Sequence, residues 1–450
     1  MVSSRIALNQ YAAGDPAAAS GTAYAALTLA PADAIALNVL MLVEAGADRL
    51  SSAICYGSRA IHCDPLAFEI RINLGYCLQR QHNDAEALQR YFEALALRPS
   101  SPEANYNAGV KLHRSENWQT ATKFYFRALL SRAVWPEAEM NLAQIQLLVG
   151  DWSSGWIRYE SRLRLKEAEL NTPKNLPGVE WNGIDSLNRK SLILWCEQGL
   201  GDSIQFFRYA IAAADAGAVV GLLTPSPLIR LFKSVERVRI LPDNFDPGPY
   251  DYHRALMSMP GLMGSKPDNV PFSDRPYIEA CRSEVSAWSE RLGDTKGRLQ
   301  VGITWRAGKV SKAQGRDMPL HAIMRLLDVD ADFHALAKEI DPEEEALLSF
   351  FRINVLSNKF IDFASTAGLV SLMDIVISVD TSVAHLSAAM GKETWICVPS
   401  LPDWRWLASG SRSIWYRSAR IYRQSRSNSW DDVVSRIRED LKRVINSRLT

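Results

Sequence analysis

The chain has 450 residues and almost no excess of charge of either sign: 51 Lys and Arg stand against 50 Asp and Glu, a net +1. No global field draws it to nucleic acid or to an anionic membrane, and only local basic patches are left to act on such partners. Cysteines are few, at Cys55, Cys63, Cys77, Cys196, Cys281 and Cys397, and no two are spaced as C-x-x-C. With no His/Cys cluster at zinc spacing either, they read as small buried hydrophobes in a reducing cytoplasm. Long apolar runs are missing too. The best, YAIAAADAGAVVGLL, is broken by Asp215 and Gly217 and is shorter than the ~20 residues a membrane span needs. It reads as a helix, a turn and a buried strand. The opening MVSSRIALNQYAAGDP has no basic flank followed by an apolar core, so no leader peptide and no transmembrane segment are expected.

What the chain does have is a repeat. INLGY at 72–76 returns as YNAGV at 106–110 and MNLAQ at 140–144. Asn73, Asn107 and Asn141 are 34 residues apart, as are Tyr91, Tyr125 and Tyr159, Ala87 and Ala121, Ala94 and Ala128, and Pro31, Pro65 and Pro99. Ala53 and Ala60 keep the register one unit earlier. Small residues let two helices approach, a large aromatic fills the groove beside them, and proline ends the second helix. The pattern resembles the tetratricopeptide repeat, with about four to five units over 1–165, the first degenerate. Such a stack offers a concave face to an extended peptide or partner protein, or serves as a spacer or dimer interface. A linker with Pro173, Pro177 and Gly178 follows YESRLRLKEAEL.

From residue 190 short apolar runs alternate with helical stretches: SLILWC, VVGLLT and VRILP, then VGITW, DFHALA, NVLS, IVISV and TWICVP. Strand–helix alternation predicts parallel sheets. The fold class is therefore α plus α/β: a helical solenoid and two Rossmann-like domains facing a cleft, where ligands sit beyond the carboxyl ends of the strands. The boundaries are 1–168 for the repeats, 169–185 for the linker, 186–297 and 298–450 for the two α/β halves.

Four stretches place chemistry at strand ends. In EQGLGDSIQF (197–206), Gly199 and Gly201 permit close backbone approach, and Asp202 opens a helix as an N-cap or as a general base. In TWRAGKVSKAQGRDMPL, Arg306, Lys309, Lys312 and Arg316 form a basic loop, solvated or set to offset charge developing on a leaving diphosphate. In ISVDTSVAHLSAAMG, Asp380, Thr381, Ser382 and His385 lie where a buried strand meets a helix N-terminus, a place suited to phosphate. Thr381 and His385 share one helical face, and His385 alone also fits a core histidine. In PSLPDWRWLASG, Asp403, Trp404 and Arg405 either edge a pocket or pack. A fifth candidate, D-x-D-x-D in LDVDADF at 327–333, has cation-binding spacing. It falls at the wrong end of the sheet for the cleft and reads as a solvated turn, so no metal site is expected.

The runs CEQGLGDSIQFFRYA, VGITWRAG, ISVDTSVAHLSAAMGKETWICVPSLPDWRW and SIWYRSARIYRQ resemble the bacterial tetratricopeptide-repeat glycosyltransferases, whose catalytic part is similar to the ADP-heptose heptosyltransferases with their two-Rossmann GT-B fold. The resemblance covers about 180–425, with the repeats before it. It implies metal-independent, inverting sugar transfer from a nucleotide-sugar donor, with no other cofactor. Asp202 would be the base, in an acceptor-side domain. Asp380, Thr381, Ser382 and His385 would hold the donor in the second domain, with Lys309 or Lys312 on the diphosphate and Arg306, Arg316, Asp403 and Arg405 around it. The layout is also similar to the protein O-GlcNAc transferases, which present polypeptides on their repeats. The acceptor would be a protein docked on the repeats or a glycan, in the cytoplasm or, with a glycolipid acceptor, at the inner membrane surface. Relatives often read W-A-G-N-P where this chain has WRAGK, and Gln where it has Lys338. The competing expectation is a non-catalytic repeat scaffold with a vestigial or nucleotide-sensing transferase domain.

Overall fold

The computed structural model describes residues 2–166, 172–307, 315–356, 359–425 and 429–449. It divides into two compact units, Met1–Ile145 and Gln146–Thr450.

The first unit is a tetratricopeptide-like solenoid of antiparallel helix pairs. Its helices are α1 (Val2–Ala12), α2 (Pro16–Leu29), α3 (Ala34–Gly46), α4 (Leu50–Cys63), α5 (Phe68–Arg80), α6 (Asp84–Leu97), α7 (Pro102–Arg114), α8 (Trp118–Ser131) and the start of α9 (Pro136–Leu148). From α3 onward the first helices of successive pairs start at residues 34, 68, 102 and 136, which is the period of the sequence repeat. Pro31, Pro65 and Pro99 each follow a helix that ends two residues earlier, at Leu29, Cys63 and Leu97, because proline cannot continue the backbone ladder. Asp33 starts α3 by accepting from the Ile35 and Ala36 N–H groups at 3.0 and 3.1 Å.

The small–aromatic pairing has a visible cause. A Cβ on Gly75 would lie 2.6 Å from the Tyr91 ring, and one on Gly109 would lie 2.9 Å from Tyr125. One repeat earlier the pair is reversed: Met41 is the large partner and Gly57 the small one, with a Gly57 Cβ only 2.5 Å from Met41 Sδ. Volume is conserved at the crossing while the helix that supplies it changes. Between neighbouring pairs, Asn73 donates to Asn38 Oδ1 at 3.1 Å and Asn141 to the Tyr106 hydroxyl at 3.2 Å.

The second unit holds the end of α9, then α10 (Trp152–Tyr159) and two parallel sheets. The first consists of β1 (Val179–Glu180), β2 (Ser191–Trp195), β3 (Val219–Thr224), β4 (Val238–Pro242) and β5 (Tyr252–Ala255), in the order β1-β5-β2-β3-β4. The second consists of β6 (Leu299–Thr304), β7 (Ala331–Ala335), β8 (Asn354–Val355), β9 (Ile375–Val379), β10 (Glu393–Val398) and β11 (Ala419–Arg423), in the order β11-β10-β9-β6-β7-β8. Every residue of β6 and β9 is buried, as continuous apolar runs in a parallel sheet should be. In the second sheet the chain winds one way from β6 and the other way from β9. The switch point, and the crevice such a reversal opens, lies beyond the carboxyl ends of these two strands. The helices that matter below are α11 (Leu200–Asp215) after β2 and α12 (Ser382–Ala389) after β9; α13 (Asp431–Leu449) closes the chain.

Four features lie outside the sequence expectation. β1, β5 and β11 were not expected as strands; β1 falls in the stretch read as a linker. β5 reads Tyr-His-Arg-Ala and is only half-buried over three of its four residues, so no apolar run marks it. The fourth is α10: the repeat region was carried to residue 168, yet the compact units divide at 145/146. The aromatics of α10 explain this. Trp152 stacks on Trp415 at 5.0 Å between ring centres, Trp156 meets Trp404 edge-on at 5.3 Å and Phe206 at 6.4 Å, and Tyr159 meets Trp404 at 5.5 Å. Tyr159 keeps the repeat register but spends its ring on the α/β core.

Candidate functional site at two facing helix N-termini

The turn from β2 into α11 places Gln198 at φ 56°, a left-handed conformation costly for a side-chain-bearing residue. Gly199 is the N-cap, and Asp202 folds back so that its Oδ2 accepts the Gly199 N–H at 2.9 Å, one half of a capping box, since glycine has no side chain to accept in return. From the other sheet, Thr381 caps α12: its hydroxyl accepts from the Ala384 N–H at 3.4 Å and shares a hydrogen bond with the Ser378 hydroxyl at 2.9 Å. The two helix starts meet. A Cβ on Gly201 would lie 3.1 Å from His385 Cδ2, 3.3 Å from Ser382 Cα and 3.5 Å from Ser382 N. Gly201 thus lets the two helix starts approach closely, and two positive dipole ends come together.

Arg405 ties the halves together. Its Nη2 donates to Asp202 Oδ1, its Nη1 to Asp403 Oδ1 at 2.8 Å and its Nε to Gln205 Oε1 at 2.8 Å. The guanidinium also lies 4.3 Å over the Trp404 ring. Burial disfavours its charge, but Asp403 and Asp202 outweigh burial and hold it firmly protonated. Arg316 spans two carboxylates, Asp380 Oδ2 and Asp403 Oδ2, each at 3.4 Å. Burial pushes the Asp403 carboxyl up, yet Arg405 and Arg316 more than offset this and hold it below the usual range. Asp380 goes the other way: burial raises it, Arg316 opposes, and Asp403 adds repulsion. His385 is pushed down to about 3, chiefly by burial and then by the Arg405 charge, so it is neutral at physiological pH. Its Nδ1 is 3.0 Å from the Tyr416 hydroxyl, its Nε2 is 3.7 Å from Asp380 Oδ1, and its ring stacks on Trp406 at 5.3 Å.

The cluster gathers Gly199, Gly201, Asp202, Arg316, Asp380, Thr381, Ser382, His385, Asp403 and Arg405. Arg306 is turned to the segment after β7 instead, where it donates to the Glu339 carbonyl at 3.1 Å and pairs with Asp341 and Glu344 at 3.0 Å each. Lys309 and Lys312 lie outside the described residues. The D-x-D-x-D carboxylates are all paired, Asp328 with Arg438 and Lys442, Asp330 and Asp332 with Arg298. Among the described residues no group of three His, Cys, Asp or Glu side chains is placed to hold a metal ion.

Sequence reasoning missed Gln205, Arg208 and Tyr416. A signal existed: Asp202, Gln205 and Arg208 recur at i, i+3 and i+6 as polar side chains on an otherwise apolar helix, which puts them on one face. Gln205 is wholly buried, and among the described residues its amide Nε2 has no hydrogen-bond partner; nor does the buried Thr304 hydroxyl at the carboxyl end of β6. Unpaired polar atoms at strand and helix ends are costly, and they suit a site that hydrogen-bonds a polar ligand.

No protein-family model matches the chain. It is similar to FlbA of Caulobacter vibrioides, with 26% identity over 333 residues, 67% of this chain and 54% of that protein. The chain thus spans about half the length of the curated relative it matches. Solved structures similar to it include MamA (16% identity, 37% of this chain and 98% of that one, TM-score 0.33). Others are PilF of Pseudomonas aeruginosa (19%, 39% and 77%, 0.33) and a tetratricopeptide-repeat protein of Thermus thermophilus (21%, 37% and 92%, 0.31). Among the described residues no helix is long and apolar enough to cross a membrane.

Proposed function

We propose that residues 146–450 form a metal-independent glycosyltransferase of GT-B arrangement, moving a sugar from a nucleotide-sugar donor to a protein or glycan acceptor. The observation that carries this is the meeting of two helix N-termini from separate parallel sheets, with Gly201 against Ser382, over a set of paired Arg and Asp side chains. The acceptor hydroxyl attacks the anomeric carbon as the bond to the diphosphate breaks, and its proton passes to Asp202. Each Asp202 oxygen accepts one hydrogen bond in the structure, and a carboxylate oxygen has lone pairs for another. The leaving diphosphate is held by the α12 N–H groups, the Thr381 and Ser382 hydroxyls and Arg316. Transfer measured in EDTA with UDP-, GDP-, ADP- and dTDP-glucose tests this. Asp202→Asn should lower turnover about 10²–10⁴-fold; undiminished turnover removes Asp202 from its role.

One observation favours a nucleotide-sensing or vestigial domain on a repeat scaffold. The described cluster sets the guanidiniums of Arg316 and Arg405 against the carboxylates of Asp202, Asp380 and Asp403, no surplus of cations for a diphosphate. On the transferase proposal Lys309 and Lys312 supply the missing charge, and replacing both with alanine abolishes the donor-induced rise in melting temperature. Donor binding that survives the double replacement, with no transfer to any acceptor, selects the sensing role.

A further inference from the structure

Arg208 is fully buried, yet among the described residues it forms no ion pair with a carboxylate. Its N–H groups go elsewhere: Nε to the Gln205 carbonyl at 2.9 Å, Nη1 to the Trp415 carbonyl at 2.6 Å and the Pro271 carbonyl at 3.4 Å, and Nη2 to the Tyr277 hydroxyl at 3.0 Å. The guanidinium lies 4.6 Å from the centres of both the Tyr277 and Tyr416 rings. A leucine or methionine would fill this space without the cost of burying a charge. What arginine adds is direction, since a guanidinium only donates.

We propose that Arg208 is a positioning residue that acts through the Tyr416 hydroxyl to fix His385 as its Nε2–H tautomer. The imidazole then offers a hydrogen-bond donor to a ligand oxygen beside Asp380. The ligand part of the proposal rests on the transferase reading; the tautomer part does not.

The chain of donors runs one way. The Tyr277 hydroxyl receives Arg208 Nη2–H and spends its proton on the Ile204 carbonyl at 3.0 Å, which can only accept. Burial keeps the Tyr416 phenol protonated, and the guanidinium beside it has no lone pair to take that proton. The Tyr277 oxygen also lies near this phenol but already accepts Arg208 Nη2–H, so His385 Nδ1, 3.0 Å from the hydroxyl, is the acceptor we assign to it. A neutral imidazole that accepts at Nδ1 carries its hydrogen on Nε2. Nε2 faces Asp380 Oδ1 at 3.7 Å, beyond hydrogen-bond reach, so among the described residues that carboxylate does not take its N–H, which is left for a bound oxygen. The ring itself stacks on Trp406 and has its Cδ2 against Gly201, so the proton position is what remains to be set.

The test is two-bond ¹H–¹⁵N correlation on the full-length chain with ¹⁵N-histidine, with His385 assigned by loss of its signals in His385→Gln. Wild type should show the Nε2–H form. Tyr416→Phe, which keeps the ring and deletes one oxygen, should give a mixture of tautomers and weaken whichever of UDP-, GDP-, ADP- or dTDP-glucose binds by about tenfold, the weight of one hydrogen bond to a charged oxygen. Arg208→Gln, whose amide both donates and accepts, should also mix the tautomers, while Arg208→Lys, donor only, should keep Nε2–H. An Nδ1–H wild type, or an unmixed Nε2–H signal in Tyr416→Phe, overturns the proposal. If Arg208→Gln does not fold, Tyr416→Phe and Arg208→Lys carry the test. The tautomer is read with no sugar present, so the relay stands or falls apart from the transferase activity.

Discussion

At the scale of single residues, the site is a balance of buried charges, and removing one member should show it. Arg405→Met leaves Asp202 and Asp403 without their shared cation. Breaking a buried pair in this way costs about 3–5 kcal/mol, read as a lower urea midpoint; adding Asp403→Asn should recover part of the loss. If Arg405→Met leaves the midpoint unchanged, the cluster does not hold this unit together. Buried histidines give the molecule a pH dependence. His385 is pushed down to about 3 and His334 to about 4, both chiefly by burial. Unfolded, each binds a proton near pH 6.5. Above that pH both states are neutral and nothing is lost. As pH falls from about 6.5 toward 4, the unfolded chain gains protons that the native chain refuses, so stability drops. The melting temperature should therefore decline from pH 6.5 to 4.5, above the range where most carboxylates titrate, and His334→Gln should flatten the decline. His334 is a core histidine, bonded to Gln300 at 2.8 Å and Asn354 at 3.2 Å, so the substitution tests titration away from the candidate site.

At the scale of elements, two kinds of glycine separate packing from conformational freedom. Gly75 and Gly109 face tyrosine rings closer than a methyl group allows, whereas Gly21, in α2, has open space where its Cβ would be. Gly75→Ala should cost about 1–3 kcal/mol by overpacking, and Gly21→Ala should raise stability by roughly 0.5–1 kcal/mol. Equal effects, measured by denaturant unfolding, would mean that the Gly–Tyr crossing does not set the spacing of the hairpin. The swap of large and small partners at Met41 and Gly57 carries a lesson for reading repeats. A search for the same residue at the same register misses a crossing whose volume is kept but whose donor helix has changed. The α11–α12 contact is the counterpart in the second unit. Gly201→Ala should displace the neighbouring helix start by a few tenths of an ångström and weaken donor binding more than it lowers the melting temperature.

For the whole molecule, the decisive question is where a boundary can be cut. The fragment 146–450 retains Trp152, Trp156 and Tyr159, all nearly wholly buried against the rings of Phe206, Trp404 and Trp415. It should melt cooperatively on its own. A fragment beginning at 169, the boundary the repeat pattern suggests, strips those aromatics from the core. Loss of one buried Trp side chain alone costs about 3–5 kcal/mol, so the shorter fragment should aggregate or melt far lower. Equal melting of the two fragments would mean that α10 is not part of the α/β core. Within this unit the same packing links α10 to the loop that carries Asp403 and Arg405, through Trp404.

The sequence by itself determined what depends on neighbours along the chain. The helix period, the prolines that end helices and the buried strands β6 and β9 all leave a local pattern, because a helix or strand repeats every few residues and sets side chains on a face. Glycine at 199 and 201, the acid at 202 and the capping threonine at 381 were legible for the same reason: strand-to-helix turns favour those residues. The tertiary structure alone decided the partners. That Arg405 closes on Asp202, that Arg316 bridges Asp380 and Asp403 while Arg306 turns to Glu339 and Asp341, and that Tyr416 reaches His385 are facts about side chains brought together from distant positions in the chain. No spacing encodes them. β5 pairs into its sheet through backbone groups that every residue carries, and α10 keeps its repeat register while its aromatics join another core. Local pattern sets which face is apolar; what that face packs against is settled only when the whole chain competes for it.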